Sequence, residues 1–309
     1  MKKTLRIQES ELRTHKSVLL EETVQGLELQ KGNTAIDATV GVGGHSEKIA
    51  HILGKKGTLV AIDLDENSLS SAKKRLSDSD PHIIYLQGNF RNVKKLAEEA
   101  GITSVDGIVF DLGWHSEQLA SGKGISFNSD EPLLMTLGSS ESHLYTAKDI
   151  IKDWDEDEIA RIIREYGEEK FSGRIARVIV ETRKKQPINT ARELAEVIRS
   201  AVPGFYRNGR LNPATRTFQA LRIAVNDELG ALKEALQNAL ELLAPEGRLA
   251  VISFHSLEDR IVKQAFRNAE DTGIGKRITK KPIIPTSEER EKNPRARSAK
   301  LRIFEKNTL

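Results

Sequence analysis

The chain has 309 residues, 30% of them charged and 38% apolar, with a formal net charge of +3 and no cysteine. That balance fits a soluble globular protein and excludes a disordered chain, a disulfide scaffold and a thiolate metal site; no metal is expected. No apolar run approaches the roughly 18 residues that span a bilayer, and residues 1–10 hold no apolar stretch of signal-peptide length, so the expectation is a cytoplasmic protein without a membrane partner.

In chain order, Ala35–Thr39, Thr58–Ile62, His82–Gln87 and Gly107–Phe110 are short apolar or β-branched runs that predict strands. Residues 45–54, 66–76 and 92–101 between them predict helices, and this alternation implies a parallel sheet. Residues 112–145, rich in Gly and Ser, predict a long loop. Residues 146–201 predict helices only, with cap signals at Asp155 before Glu158 and at Asn189 or Thr190 before Glu193. Asn212-Pro213 then opens a helix whose apolar positions, Phe218 through Leu243, step by three or four along one face. Pro245-Glu246-Gly247 is expected to stop it, with strands at Arg248–Phe254 and Lys300–Lys306. The expected division is a sheet domain of residues 1–115 and 205–309, interrupted by a loop and helical domain of residues 116–204.

The first strand runs into Gly41-Val42-Gly43-Gly44, and Asp63 stands 20 positions beyond Gly43 at the end of the second strand. A glycine turn and a strand-end acid at the carboxyl edge of a parallel sheet suit a nucleotide-like cofactor: the turn approaches it closely, and the acid accepts from ribose hydroxyls. Ser46 occupies the place of the third glycine of a dinucleotide fingerprint, which argues against NAD or FAD. S-adenosylmethionine has no pyrophosphate and fits better. Asp37 adds a second acid where a cationic ammonium or sulfonium is welcome, although a strand-end Asp also serves as a turn cap. Phe90 follows the third strand and offers a ring to an adenine, and Asp111 follows the fourth, where an acceptor is met. Lys and Arg cluster at 183–185, at 207–222 and at 276–302, the last with ten cations against three Glu. Such segments suit a polyanionic partner, or are ordinary solvated surface.

The segments His15–Leu20, Gly41–Ser46, Phe110–Gly113, Pro213–Ile223, Ser253–Arg260 and Asn293–Ser298 closely resemble those of the bacterial small-subunit ribosomal RNA methyltransferase H family, in the family's order, from about residue 14 to 304. The resemblance implies a Rossmann-like class I methyltransferase sheet with an inserted all-helical, RNA-recognising domain. It implies S-adenosylmethionine as cofactor, 16S rRNA of the small ribosomal subunit as partner, and methyl transfer to the exocyclic N4 of a decoding-centre cytidine. Its cofactor contacts fall on Gly43, Gly44, His45, Asp63, Phe90, Asp111 and Gln118. The chain departs from the family at Trp114–Ala120, at Pro132–Gly138, where two acids and an arginine are lost, and at Asn212, where a histidine is usual. These departures put the acceptor side in question rather than the cofactor turn.

Methyl transfer to N4 needs a nucleophile held in line and an acceptor for its proton. Asp111 is the first candidate, with His255 and Asn226 behind it. The competing reading is a non-catalytic rRNA-binding or assembly factor that keeps the cofactor fold, and a NAD-dependent oxidoreductase stands further off. A homodimer is left open.

Overall fold

The structure, a computed structural model, describes residues 16–113, 122–138 and 143–308. After α1 (Leu20–Gly26) the chain alternates β1 (Thr34–Asp37), α2 (Gly44–Leu53), β2 (Thr58–Asp63), α3 (Glu66–Arg75), β3 (His82–Gln87), α4 (Val93–Glu99) and β4 (Val105–Asp111). Helices α5 (Ala147–Asp153), α6 (Glu156–Gly167), α7 (Ser172–Arg183), α8 (Ala191–Ala201), α9 (Gly204–Arg207) and α10 (Ala214–Asn226) follow. The chain returns through α11 (Glu228–Leu242), β5 (Leu243–Ser253), α12 (Ser256–Asp271), β6 (Gly275–Arg277), α13 (Ser287–Lys292) and β7 (Lys300–Lys306).

Two units result, residues 1–113 with 229–309, and residues 114–228. In the first, one sheet runs in the order β3-β2-β1-β4-β5-β7-β6. Strands β1 to β5 are parallel, and β7 is antiparallel to both β5 and β6. Successive side chains of a strand face opposite sides, and here both sides are dry. Ile36, Ile108 and Phe110 join a core with Leu232 and Leu236 of α11 and Val262 and Phe266 of α12. Their neighbours Ala35 and Val109 join a second core with Ile49 and Leu53 of α2. A parallel sheet covered on both faces leaves its carboxyl edge as the place where several strands deliver side chains together.

Two expectations change here. The apolar face from Phe218 to Leu243 predicts one helix, but two form. Asp227 turns left-handed at φ 46° and its N–H donates to Ile223 O, which ends α10; Asp tolerates that conformation better than most residues. Pro245-Glu246-Gly247 reads as a stop, yet it lies inside β5. Val105 pairs with Leu243 and Gly107 with Arg248, so the residues between bulge from the ladder, with Glu246 at φ 64°. The edge strand β6 is new; three residues, Gly275-Lys276-Arg277, carry no periodic signal.

The helical unit has its own core, built from Ile150, Ile159, Ile163, Ile175, Leu194, Phe218, Leu221 and Val225. Helices start at the predicted caps, where Thr190 forms a capping box and Asp155 accepts from Glu158 N, and Thr146 forms a further capping box. The unit ends at Glu228, beyond the expected 204, because α10 packs against α6 and shares that core. No described helix is long and apolar enough to cross a membrane.

Candidate cofactor site

The site begins with the turn between β1 and α2. Gly43 caps α2 at φ 84°, a left-handed conformation that side chains resist. A Cβ on Gly44 would fall 2.0 Å from Ser17 Oγ, so the turn and the segment before α1 can meet only through glycine. Gly41 N donates to Asp63 Oδ2 at 2.8 Å, and Asp65 N donates to Asp63 Oδ1 at 2.9 Å. Those bonds tie the glycine turn to the end of β2 and aim the carboxylate along the edge. Burial nonetheless pushes the Asp63 carboxyl up to about 6, against the pull of the two N–H groups.

Asp37, at the end of β1, is 2% exposed. Burial raises its pKa, opposed by His45, by a 2.7 Å bond from Ser46 Oγ and by a 3.2 Å bond from Thr39 N. Ser46, which reads in the sequence only as a missing glycine, is thus the donor that holds this acid. Asp37 therefore serves the turn as well as the site. Asp111, at the end of β4, is anchored through its own N–H to Thr39 Oγ1 at 2.6 Å, and its side chain is 20% exposed. His45 is buried between two groups: Nε2 lies 3.1 Å from Val18 O, and Nδ1 lies 3.8 Å from Asp111 Oδ2. A carbonyl can only accept, so Nε2 carries a hydrogen, and Nδ1 is the ring atom that faces Asp111. Phe90 sits edge-on to Phe110, ring centroids 5.8 Å apart at 67°, which fixes it at the end of β3.

Three strand ends thus deliver Asp63, Asp37 and Asp111 in sheet order, with Phe90 beyond. This donor set fits a ribose-bearing cation: carboxylates for hydroxyls and positive charge, a ring for a base, and a glycine turn for close approach. Gly43, Gly44, His45, Asp63, Phe90 and Asp111 are brought together on one unit; Gln118 lies outside the described residues.

The long-range closure of the site was not legible beforehand. Asn293 Nδ2 donates to Lys16 O at 3.0 Å, and Leu19 N donates to Glu289 Oε1 at 2.8 Å, so the C-terminal segment clamps the strip that backs Gly44 and His45. Arg295, read in the sequence as part of a basic run and of the Asn293–Ser298 segment, is another such residue. Burial lowers its pKa and the Asp111 carboxylate opposes that shift, so the two lie within electrostatic reach.

The other catalytic candidates are differently employed. His255 is the N-cap of α12: its Nδ1 accepts from Glu258 N at 3.3 Å, and Nε2 lies 3.1 Å from Glu258 Oε1. With Nδ1 accepting, the neutral ring holds its hydrogen on Nε2 and has no free lone pair for a substrate. Asn226 belongs to the helical unit. Its Oδ1 accepts from Leu137 N at 2.7 Å and lies 3.0 Å from His143 Nε2, and its Nδ2 donates to Met135 O and Arg222 O, both at 2.8 Å. Its amide is fully used in pinning the 135–137 turn. The basic run at 276–302 is also less free than its count suggests. Lys276 pairs with Glu305, Arg277 with Glu270, and Lys300 and Arg302 both with Asp259.

The chain matches the model of the MraW methylase family over residues 12–307. It is 48% identical over 308 residues to a Brevibacillus brevis protein named ribosomal RNA small subunit methyltransferase H, covering 94% of this chain and 98% of that one. Among solved structures, an rRNA methylase from Streptococcus thermophilus aligns with 95% of this chain and 99% of its own, at 12% identity and a TM-score of 0.44. The N-methyltransferase NodS from Bradyrhizobium japonicum aligns with 94% of each chain, at 10% identity and a TM-score of 0.43. With its glycine turn and strand-end carboxylates in place, the chain belongs to the MraW methylase family, a family of S-adenosylmethionine-dependent methyltransferases.

Proposed function

We propose that this protein methylates the exocyclic N4 of a cytidine in the decoding centre of 16S rRNA. The observation that carries the reading is the row of Asp63, Asp37 and Asp111 at adjacent parallel strand ends behind the glycine turn. The name of the Brevibacillus brevis relative supports the rRNA substrate. S-adenosylmethionine, when bound, supplies a methyl group on a sulfonium that leaves readily.

Asp63 holds the ribose hydroxyls, Gly43 and Gly44 admit the amino-acid part, and Asp37 and Asp111 make the edge negative where positive charge must sit. The remaining difficulty is the nucleophile, since the N4 lone pair is delocalised into the cytosine ring. Positioning N4 in line provides most of the rate, and Asp111 accepts the proton that N4 sheds. His45 Nδ1 stands 3.8 Å from Asp111 Oδ2, beside the group that takes this proton. Asp111 is thus the catalytic group of the proposal, whereas His255 positions the α12 terminus and Asn226 the 135–137 turn. The cytidine must be unstacked, or taken from single-stranded RNA.

The test is transfer of a tritiated methyl group to small subunits lacking the modification, with the product nucleoside identified by mass spectrometry. Label in N4-methylcytidine supports the reading. Tight cofactor binding with no transfer points to a non-catalytic rRNA-binding factor, and label on another atom or base corrects the acceptor.

A further inference from the structure

The helical unit carries an aromatic cluster that the cofactor chemistry does not use. Phe171, the N-cap of α7, meets Tyr206 of α9 edge-on with centroids 4.9 Å apart, and Phe205 at 6.4 Å. The Lys170 ammonium lies over all three rings, 5.0 Å from the Phe171 centroid, 5.7 Å from Phe205 and 5.1 Å from Tyr206. The Tyr206 hydroxyl donates to the buried Glu169, whose other oxygen accepts from Phe171 N at 2.9 Å. Burial and that bond push the Tyr206 phenol up to about 12. Glu169, Phe171 and Tyr206 therefore hold one another in place.

Phe205 is held by this framework but not covered by it. It is 74% exposed, an uncommon position for a large apolar ring, and Leu211 nearby in sequence is 51% exposed. The two segments that build the cluster are cationic. Residues 168–174 and 202–216 contain Lys170, Arg174, Arg207, Arg210 and Arg216 against Glu168 and the buried Glu169. A rigidly mounted, exposed ring among cations is how proteins bind unpaired nucleic acid: the base stacks and the cations follow the phosphates. A partner protein with an apolar knob would not call for five cations, and a duplex offers no free base face.

We infer that Phe205 is a stacking platform for one unpaired RNA base, with Lys170 and the flanking arginines holding the adjoining phosphates. The inference rests on the rRNA reading above and names where on the helical unit single-stranded RNA is gripped.

The test uses the full chain and fluorescence anisotropy with a short unstructured oligoribonucleotide, and with a duplex of equal length. Phe205→Ala weakens single-strand binding by roughly 5- to 150-fold while Phe205→Trp retains it, because stacking is worth that much per base. Duplex binding changes little in either variant. Lys170→Gln lowers the slope of log affinity against log salt by about 0.7, as loss of one single-strand phosphate contact requires, whereas Phe205→Ala leaves the slope unchanged. Circular dichroism and S-adenosylhomocysteine affinity identify any misfolded variant, and Phe205→Leu then replaces Phe205→Ala, with Phe205→Tyr as the ring-retaining control. Several results overturn the platform: no single-strand binding by the unaltered protein, equal affinity of Phe205→Ala and the unaltered protein, or equal losses on duplex and single strand. Loss of subunit binding without loss of oligonucleotide binding makes the face a protein contact instead, which also overturns it. Methyl transfer by the unaltered protein is scored separately. Its absence sinks the methylation reading without touching the stacking measurement, and its presence with an unchanged Phe205→Ala sinks the platform alone.

Discussion

In the sheet unit, Asp63 and Asp111 keep acceptor capacity at the strand ends, their backbone bonds fixing where the carboxylates point. In the helical unit the comparable polar groups are spent: Asn226 uses its whole amide on the 135–137 turn, Arg222 grips Glu228 through two bonds at 2.8 and 2.9 Å, and Glu169 secures an aromatic framework. The contrast separates chemistry from scaffolding. A parallel sheet assembles its site from strand ends far apart in sequence, so its polar groups stay available at the edge. A small helical core must satisfy polar groups wherever the chain turns, so those groups stabilise and the surface is left to bind.

The largest expected effect is at Asp111. Asp111→Asn should lower the methyl-transfer rate by roughly 10²–10⁴-fold, the usual worth of one acid–base group, well beyond its loss of cofactor affinity by calorimetry. Affinity lost in step with rate would move Asp111 from chemistry to cofactor holding. Next is Asp63→Asn, which should weaken cofactor binding roughly 10- to 150-fold, the range for hydrogen bonds to a charged group.

The same residue predicts a pH profile. Its folded carboxyl titrates near 6, raised from 3.8, so the ionised acceptor is lost as pH falls through 6 and cofactor affinity should fall with it. The sign is opposite for stability of the ligand-free protein: a raised carboxyl binds protons more tightly folded than unfolded, so stability from this group declines as pH rises from about 4 to 6. Asp63→Asn should flatten both curves, and a slope that persists in the variant would assign the titration elsewhere.

Smaller effects probe the helical side. Asn226→Ala strands Leu137 N, Met135 O and Arg222 O, and should cost about 1–3 kcal/mol in denaturant unfolding. A variant of unaltered stability that loses methyl transfer would return Asn226 to the catalytic group. Thr190→Ala removes the α8 capping box and should cost about 1 kcal/mol, with no change in methyl transfer.

Much of the sheet was legible because period and spacing carry it. The runs ending at Asp63 and Asp111 alternate with helical segments, and the glycine turn precedes α2 as expected. The helical boundaries were legible at Asp155 and Thr190, where a cap is a local bond between residues three apart. The break at Asp227 was not, because an unbroken apolar face says which side is buried and nothing about a single left-handed residue. The bulge at Ala244–Gly247 escaped for a related reason: Pro-Glu-Gly looks the same in a turn and in a strand interruption until Val105 and Gly107 choose their partners. The bonds of His255 and Asn226 were not legible, because a motif records that a residue matters, while only the folded neighbours tell how its lone pairs are used.

By itself the sequence determined the alternating sheet, the glycine turn, the strand-end acids and the family, since all of these depend on local periodicity, backbone conformation and residue order. The tertiary structure alone decided how each polar group is spent. It gave Ser46 to Asp37, set His45 between Val18 and Asp111, turned His255 into a cap, neutralised much of the C-terminal basic run and left Phe205 bare. The reason is that a hydrogen bond or an ion pair forms between groups brought together by folding, at separations in sequence that no local pattern encodes.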